Sequence, residues 1–439
     1  YEIAQCLVGS EMCIRDRKGT VTIINLADQT VSQVDFTSYD NSDSREQLVE
    51  SGVILKKNAN PSVDFEPEYI AAGDETAYVT LQEANAIAVI DLNQQSLTGV
   101  YSAGYEDYST CAVDIDKKDE AYKPAVYETL RGIRMPDGIA TYHINGVEYI
   151  VTANEGDSRE WGEYLNEDER NFGKGETSPT GKITAENSGL TGKVVFFDSS
   201  DYDGLDSELD YLFGGRSFTV FKADEQGLTE IYTSGNEFEA KTAGYEPEHF
   251  NCSNDNNDID DRSGKKGVEA ENVTIGNVGE KIYAFIGLER IGGVMMYDVT
   301  NPEKISYANY INSRDFSADI AGDDSPEGLC FISESESVDG NAHLLTACEV
   351  SGTVASYELT ARKTQDQGNG QDSDNGQDSG EGQNSNNGQN SNNGQESGQG
   401  AKSDAPKTGD MQKTAGLFTA IILTLTVVFG ITKRRRYTL

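Results

Sequence analysis

Pairs of acidic residues recur along this chain at a spacing that could assemble a metal site. In four similar stretches, an acid opens a first predicted strand and a glutamate follows the second. The pairs are Glu68 with Glu83, Asp137 with Glu155, Glu271 with Glu289, and Glu327 with Glu349. Because an antiparallel hairpin returns the second acid to the end where the first lies, several hairpins could gather carboxylates at one place. Such a group favours a divalent cation, although an acid at a strand end can also simply face solvent.

The expected cation is Ca²⁺, which takes about six to eight oxygen ligands, with iron or manganese as alternatives. Asp157, in the loop "NEGDSREW", is a further candidate ligand. Arg290 and Arg159 are candidate clamps for an anionic group, because a guanidinium can fork onto a phosphate or carboxylate, but each could instead form a structural salt bridge. The segment "NCSNDNNDIDDRSG", from Asn251, resembles a calcium loop in composition only and could equally be a solvated acidic loop.

Short β-strand signals dominate residues 18–362, whereas helix signals are scarce. The signals are runs of β-branched and aromatic residues bounded by Gly, Asp and Asn turns. They are "GTVTIINL", "TAYVTL", "AIAVIDL", "EYIVTA", "KVVFFD", "SFTVFKA", "KIYAFIGL", "GVMMYDV", "HLLTACEV" and "GTVASYEL". Strands of this length and spacing indicate an all-β repeat architecture.

Four copies of one pattern are visible, each with an opening acid, an apolar strand, a turn, a second strand that ends in a glutamate, and a third strand. They begin at Glu66, Met135, Val268 and Ser325. Three or four antiparallel strands repeated around an axis form a propeller blade, and closure of the ring removes exposed sheet edges. We therefore predict a β-propeller over residues 18–362, with about seven blades in the complete protein and the N-terminal ones missing from this chain.

Several other chemistries are disfavoured. His143, His249 and His343 have no spacing typical of a zinc site or a nucleophile-base pair, so a hydrolytic triad is not expected. No P-loop or dinucleotide fingerprint is present, and a formal net charge of −40 argues against nucleic acid as a partner. Cys330 and Cys348 fall on neighbouring predicted strands, where either one disulfide or buried free thiols could occur.

Both ends of the chain differ in composition from its middle. Residues 1–17 contain no export signal and look like translated sequencing-adapter sequence, so we interpret them as non-native. Residues 363–404 contain almost only Gly, Asn, Gln, Ser and Asp and predict a flexible linker. Residues 415–432 are apolar and, at about 1.5 Å per residue, long enough for a membrane helix. The basic tail "KRRR" behind them predicts that the bulk of the chain is extracellular.

The segment "APKTGD" before this apolar run resembles the sortase sorting signal of Gram-positive bacteria, with Ala405 in place of the usual leucine. The resemblance implies that residues 405–439 are a sorting signal and that the membrane insertion is transient. A sortase would cut between Thr408 and Gly409 and join the threonine to peptidoglycan. Sortase and the cell wall are therefore expected partners, together with an unidentified extracellular ligand.

The stretches "EPEYIA", "MPDGIA", "YIVTANEGDSRE", "YAFIGLERIGGVMMYDV" and "SPEGLCFI" resemble the choice-of-anchor I domain over nearly all of residues 18–360. Relatives of that family include mesenchyme-specific cell-surface glycoproteins, and some members are described as alkaline phosphatase-like. The resemblance implies a secreted propeller but leaves its activity open. Glu269 and Ala270 depart from the pattern, because a proline is expected before Glu271.

Two functions remain open at this stage. The first is a wall-anchored propeller that binds a divalent metal and serves adhesion or ligand capture. The second is a metal-dependent phosphoesterase, in which metals held by the acids activate water and Arg290 or Arg159 neutralises phosphate. A clear nucleophile is lacking, which favours the first function.

Overall fold

The structure, a computed structural model, describes residues 18–161, 163–361 and 435–438. Within these residues strands predominate and helices are few, which confirms the prediction of an all-β protein. The α-helices are α1 (Ser42–Glu50), α2 (Pro61–Asp64), α3 (Ala185–Ser188) and α4 (Glu237–Tyr245). None of the helices in the described part of the chain is long and apolar enough to be a membrane span. The predicted non-native segment 1–17, the linker 363–404, the cleavage site at Thr408 and Gly409, and the membrane segment 415–432 lie outside the described residues.

Each of the ten stretches that the sequence predicts to be extended lies mostly within a described strand. In chain order the described strands are β1 (Thr20–Ile24), β2 (Val31–Asp35), β3 (Leu55–Lys56), β4 (Pro67–Ala72), β5 (Thr76–Leu81), β6 (Ala86–Asp91), β7 (Ser96–Ser102), β8 (Tyr105–Asp107), β9 (Leu130–Ile133), β10 (Ile139–Ile144), β11 (Val147–Asn154), β12 (Glu160–Trp161), β13 (Tyr164–Leu165), β14 (Glu167–Asn171), β15 (Lys193–Phe197), β16 (Tyr202–Asp203), β17 (Asp210–Phe213), β18 (Ser217–Asp224), β19 (Gly227–Thr233), β20 (Ala270–Val278), β21 (Lys281–Leu288), β22 (Val294–Asp298), β23 (Ser306–Ile311), β24 (Pro326–Ile332), β25 (Ala342–Cys348), β26 (Thr353–Thr360) and β27 (Arg435–Thr438).

Among the described strands, four sheets have four strands each, and each sheet contains one of the four predicted copies. Their strand orders are β4-β5-β6-β7, β10-β11-β18-β19, β20-β21-β22-β23 and β24-β25-β26-β27, and we number them as the first to fourth sheets. Neighbouring strands are antiparallel, except that β27 runs parallel to β26. In the second sheet, residues 155–216 intervene between β11 and β18. The third strand of this copy therefore comes from a segment that is distant in sequence from its second strand.

The other described strands form smaller sheets. β8, β9 and β17 form a three-stranded sheet in which β9 and β17 are parallel. The remaining strands pair two by two, as β1 with β2, β3 with β16, β12 with β13, and β14 with β15.

The larger sheets pack face to face. Alternate residues of a strand point to opposite sides of its sheet, so one strand can contribute to two buried clusters. In β21, Ala284 and Ile286 share a buried cluster with Val151 of the second sheet. Phe285, between them, shares another cluster with Leu344 of the fourth sheet. Both faces of the third sheet are thus buried, which explains why "KIYAFIGL" is apolar at almost every position instead of alternating.

The first strands of the four sheets contact one another in series. β4 contacts β10, β10 contacts β20, and β20 contacts β24. The backbone confirms one of these contacts, since the Gly138 N–H donates to the Glu271 carbonyl at 3.0 Å. Residues at the beginnings of these four strands are therefore brought close together.

The described cysteines, Cys111, Cys252, Cys330 and Cys348, are all free. Cys330 and Cys348 lie on the adjacent strands β24 and β25, as predicted, but they are not opposite each other. Cys330 pairs across the sheet with Leu345, and Cys348 pairs with Pro326. The register therefore explains why this pair forms no disulfide.

Candidate metal centre

The opening acid of each predicted pair lies where the first strand of its sheet begins. Glu68 in β4, Glu271 in β20 and Glu327 in β24 each lie within a β-bulge, where the pairing with the second strand shifts. Asp137 stands just before β10, and its N–H donates to the Ala153 carbonyl at 3.0 Å. Because a bulge re-aims the side chain it contains, these acids need not follow the regular alternation of their strands.

A left-handed residue stands two positions before the acid in three of the sheets. Met135, Glu269 and Ser325 have φ values of 45°, 50° and 62°. This conformation is uncommon for residues other than glycine and costs of the order of 1 kcal/mol each. Its recurrence at one position shows that the chain enters these three sheets through the same kind of turn.

The later glutamate of each pair comes at or just after the end of the second strand. In the third sheet the Glu289 N–H donates to the Glu269 carbonyl at 2.9 Å, and in the fourth the Glu349 N–H donates to the Ser325 carbonyl at 2.8 Å. Each of these hairpins thus brings its two acids to the same end of the sheet, as the spacing predicted.

Carboxylates of the second and third sheets converge at this end, and we call the group the central cluster. Oxygens of Asp137, Glu155 and Glu271 lie within 4.8 Å of one another. Glu155 belongs to a second such group with Glu269 and Glu289. Asp137 is 5% exposed and Glu269 is fully buried, so these charges are largely removed from water.

Burial and mutual repulsion raise the pKa values of the central acids. Burial, followed by the charges of Glu155, Glu68 and Glu327, raises the pKa of Asp137 well above its usual range. Burial, with Glu155 and Asp137, raises the pKa of Glu271 to about 12. Since Glu68 and Glu327 come from the first and fourth sheets, all four sheets contribute to the negative field at one place.

Lys266 pairs with two acids of the central cluster. Its Nζ lies 2.7 Å from Glu155 Oε1 and 3.0 Å from Glu269 Oε2. The other oxygen of Glu155 accepts a hydrogen bond of 2.7 Å from the Gln82 amide. Although burial would lower the pKa of Lys266, these carboxylates raise it well above its usual range, so the side chain is held as an ammonium.

Arg290 lies on the other side of Glu269. Its guanidinium is 2.9 Å from Glu269 Oε2 and 3.1 Å from Glu289 Oε1, and it donates to Asn254 Oδ1 at 2.9 Å. Arg262 also pairs with Glu269. Burial would raise the pKa of Glu269, but the surrounding cations hold it well below its usual range. Burial and the charge of Glu269 raise the pKa of Glu289 to about 8.

The other predicted residues lie at the margin of this cluster or away from it. Arg159 is buried and pairs with Asp64. Although burial would lower the pKa of Arg159, the charges of Asp64 and then Glu83 raise it. Asp157 is half-exposed and lies 3.6 Å from Lys266 Nζ. Glu349 is exposed. The predicted anion clamp is thus divided, since Arg290 belongs to the central cluster and Arg159 is committed to a separate buried ion pair.

The central cluster could bind either a cation or protons. Glu271 Oε2 is buried and has no hydrogen-bond partner among the described residues. The cations pair with Glu155, Glu269 and Glu289, which leaves Glu271 beside Asp137 with no ion pair in the described part of the chain. A divalent cation between these carboxylates would supply the missing charge and occupy the unpartnered oxygen. Without it, the raised pKa values indicate bound protons.

The choice-of-anchor I domain family provides the decisive comparison, since its model matches residues 8–302. The chain belongs to this family. The match includes Asp137, Glu155, Glu271 and Glu289, but it ends before the fourth sheet, so it extends less far than the resemblance predicted. It begins at residue 8, within the segment that the sequence indicates to be non-native.

Two relatives of known description share part of the chain. The mesenchyme-specific cell surface glycoprotein of Strongylocentrotus purpuratus is 28% identical over 319 residues, which are 61% of this chain and 40% of that protein. Gigasin-3a of Magallana gigas is 34% identical over 100 residues, which are 22% of this chain and 34% of that protein. The chain thus spans less than half the length of either relative. Together with the family, the glycoprotein indicates a cell-surface or extracellular protein.

Solved structures resemble the chain only distantly. A Lactobacillus plantarum protein is 12% identical, covers 79% of this chain and 60% of its own, and has a TM-score of 0.34. A putative 6-phosphogluconolactonase from Bacteroides uniformis is 12% identical, covers 80% of this chain and 76% of its own, and has a TM-score of 0.29. At these scores neither structure carries a functional argument.

Sequence reasoning missed three members of the central cluster. Glu269 could have been found, because it precedes Glu271 by two residues just as Glu66 precedes Glu68 in the first copy. Lys266 gives no such signal, since it lies in a loop that no repeat shares. Gln82 next to the predicted Glu83 was also missed, although Gln82 contacts Glu155 directly.

Proposed function

We propose that this chain is an extracellular β-propeller protein that binds one divalent cation, Ca²⁺ being the best fit, at the central cluster, and that it uses this site for ligand binding or adhesion at the cell surface. The observation that carries the proposal is the approach of Asp137, Glu155 and Glu271, whose oxygens lie within 4.8 Å of one another although two of the residues are almost fully buried. Like charges at this distance and burial require compensation.

The propeller arrangement is supported by the way the sheets are built. Four sheets of four strands follow one another along the chain, their first strands contact in series, and the third sheet is buried on both faces. These are the properties of neighbouring propeller blades, in which the first strands line the axis. The bulged strand starts would then direct acids from several blades to one mouth of a central channel.

Calcium is the preferred ion because the ligands are carboxylates. Hard oxygen donors suit Ca²⁺, Mg²⁺ and Mn²⁺ better than softer metals. Among the described residues the groups that could hold a metal contain neither histidine nor cysteine, so the chemistry typical of a zinc site is not favoured. Asp137 and Glu271 would bind the ion from one side, and Glu155 would be shared between the ion and Lys266.

A phosphoesterase is less well supported by this geometry. A phosphate clamp needs a guanidinium that is free to meet the substrate. Arg159 is 2% exposed and paired with Asp64, and Arg290 is engaged with Glu269, Glu289 and Asn254.

Wall anchoring is the second part of the proposal. It rests on the sorting-signal resemblance at Thr408 and Gly409 and on the family, whose match indicates a surface-related protein. In the structure β27 pairs with β26. β27 follows the predicted membrane segment 415–432, however, so in the anchored protein it would lie on the cytoplasmic side, away from β26. The anchored protein would therefore have β26 without this partner.

The metal site can be tested on the full chain after treatment with a chelator. Calorimetric titration with CaCl₂ should show binding that Glu271→Gln weakens at least tenfold, since the variant removes a charged ligand and leaves the side-chain size unchanged. Glu280→Gln is the matched control, because Glu280 is exposed in the turn between β20 and β21. Equal Ca²⁺ affinity and stoichiometry in both variants would contradict the proposed site.

A further inference from the structure

A second group of buried acids lies away from the central cluster. Asp114 and Asp119 belong to the segment between β8 and β9, and Asp260 belongs to the segment between α4 and β20. One oxygen of each lies within 4.8 Å of the others. Asp114 is 1% exposed and Asp260 is fully buried. Two loops that are distant in sequence thus meet through three carboxylates.

Two of the oxygens in this group have no partner. Asp260 Oδ1 accepts a hydrogen bond from Ser263, but Asp260 Oδ2 and Asp119 Oδ1 have none among the described residues. The Asp119 and Asp260 carboxyls face each other within hydrogen-bonding reach, yet neither provides a donor while both are ionised. A buried acceptor without a donor costs about 1–3 kcal/mol, so this arrangement calls for either a cation or a shared proton.

The neighbouring lysines do not provide the missing charge. Lys123 Nζ lies 3.3 Å from Asp119 Oδ2, but its side chain is 59% exposed. Lys117 pairs with Asp261 at 2.9 Å. Within the described part of the chain, no ion pair includes Asp260. The buried end of this group therefore remains negative.

We infer that Asp114, Asp119 and Asp260 form a second divalent-cation site, which takes Ca²⁺ and fastens the loop after β8 to the loop before β20. Carboxylate oxygens from separate loops are the usual ligands of structural Ca²⁺, with water in the remaining positions.

The second site would also hold parts of the central cluster in place. The loop that carries Asp260 also carries Asn254, whose amide donates to Glu289 Oε1 at 2.8 Å and whose Oδ1 accepts from Arg290. The same loop continues to Lys266, which pairs with Glu155. A cation at the second site would fix this loop from one end while its other end contacts the central cluster.

The test compares Asp119→Asn with Asp258→Asn, since Asp258 is exposed in the same loop as Asp260 and its substitution changes the net charge equally. The full chain, stripped with a chelator, is titrated with CaCl₂ alone. Asp258→Asn should bind as many ions as the unaltered chain, and Asp119→Asn should bind one fewer. Equal stoichiometry in the two variants would overturn the inference.

A folding defect cannot imitate the expected result. The amide of Asp119→Asn can donate to Asp260, so without cation this variant should melt at or above the temperature of the unaltered chain. Its melting temperature should then rise less on addition of Ca²⁺. If the two carboxyls only share a proton, Ca²⁺ raises the melting temperature of Asp119→Asn as much as that of Asp258→Asn, which would refute the site.

Terbium luminescence separates the two sites. Burial is the main cause that raises the pKa values of Tyr122 and Tyr127, and nearby charges that include Asp114 add to it, so both rings lie near enough to sensitise a Tb³⁺ ion bound there. Glu271→Gln should retain this emission and Asp119→Asn should lose part of it. The central site can therefore fail while the second one stands. Unchanged emission in Asp119→Asn would count against the second site alone.

Discussion

Replacement of Lys266 by methionine should have opposite effects on stability and on cation affinity. Lys266 pairs with Glu155 and Glu269 in the central cluster and offsets their charges. Methionine keeps most of the length of the side chain but removes the charge and the hydrogen-bond donors of the ammonium. The metal-free protein loses a counter-ion, whereas a bound Ca²⁺ would lose a competitor for Glu155.

Both magnitudes can be worked from the geometry. Removal of one partner from a buried ion pair costs about 3–5 kcal/mol, and because Lys266 keeps 17% of its side chain exposed we expect about 3 kcal/mol. A Ca²⁺ about 2.4 Å from Glu155 Oε1 would lie within about 5 Å of Lys266 Nζ, which is 2.7 Å from the same oxygen. At an effective dielectric constant of about 20, charges of +2 and +1 at this separation repel by about 7 kcal/mol.

Solvent and side-chain movement reduce that repulsion, so we expect the Ca²⁺ affinity of Lys266→Met to rise at least tenfold, which corresponds to about 1.4 kcal/mol. Urea unfolding of the chelator-treated full chain measures the loss of stability, and calorimetric titration measures the affinity. Lys265→Met is the matched control, because Lys265 is the exposed neighbour. If Lys266→Met binds Ca²⁺ with unchanged or lower affinity, the ion does not share Glu155 and the proposed placement is wrong.

Three further predictions concern pH, a buried ion pair and the anchor. Burial and Glu269 raise the pKa of Glu289 from 4.5 to about 8, so the stability that Glu289 contributes to the metal-free chain should be fully present below about pH 4.5 and be lost as pH rises through 8, by up to about 1.4 kcal/mol per pH unit in urea unfolding. Arg159→Met should lower the free energy of unfolding by about 3–5 kcal/mol, because it strands the buried Asp64, and calorimetry should show unchanged Ca²⁺ affinity. Thr408→Ala should keep the protein in the membrane fraction of cells that carry a sortase, as measured by blotting of wall and membrane fractions.

Each of these predictions has a control or a result that contradicts it. Saturating Ca²⁺ should flatten the pH dependence, and a slope that persists in Ca²⁺ would mean that the acids titrate without regard to the ion. Arg170→Met, at a more exposed ion pair with Asp168, should cost less than about 1 kcal/mol. A Thr408→Ala variant that still reaches the wall fraction would show that the cut lies elsewhere.

The repeat pattern predicted the larger sheets and the end of each sheet at which its paired acids lie, because both depend on local signals. A hairpin such as β20–β21 returns Glu289 to the end of the sheet where Glu271 lies, wherever the sheet is placed in the fold. The spacing of the two acids was therefore sufficient to predict that they lie at the same end. The pairing of β11 with the distant strand β18 could not be predicted from local sequence, since a strand pairs equally well with a neighbouring or a distant segment. The partner of Arg159 was equally hidden, because Asp64 reaches it from a short helix far away in sequence.

Cation binding and folding would be linked at the central cluster, since the fold that brings Asp137 and Glu271 together also brings their charges into a buried place. An ion that binds only the folded chain stabilises it by about 2.7 kcal/mol when its concentration is about 100 times the dissociation constant. Extracellular calcium-binding modules reach dissociation constants of about 10⁻⁴–10⁻³ M, which suits an environment rich in Ca²⁺. A site of this kind would hold its acids ionised and its loops in place outside the cell. Without the ion, the same acids would have to take up protons, so the surface at this end of the sheets would change its charge with the supply of calcium.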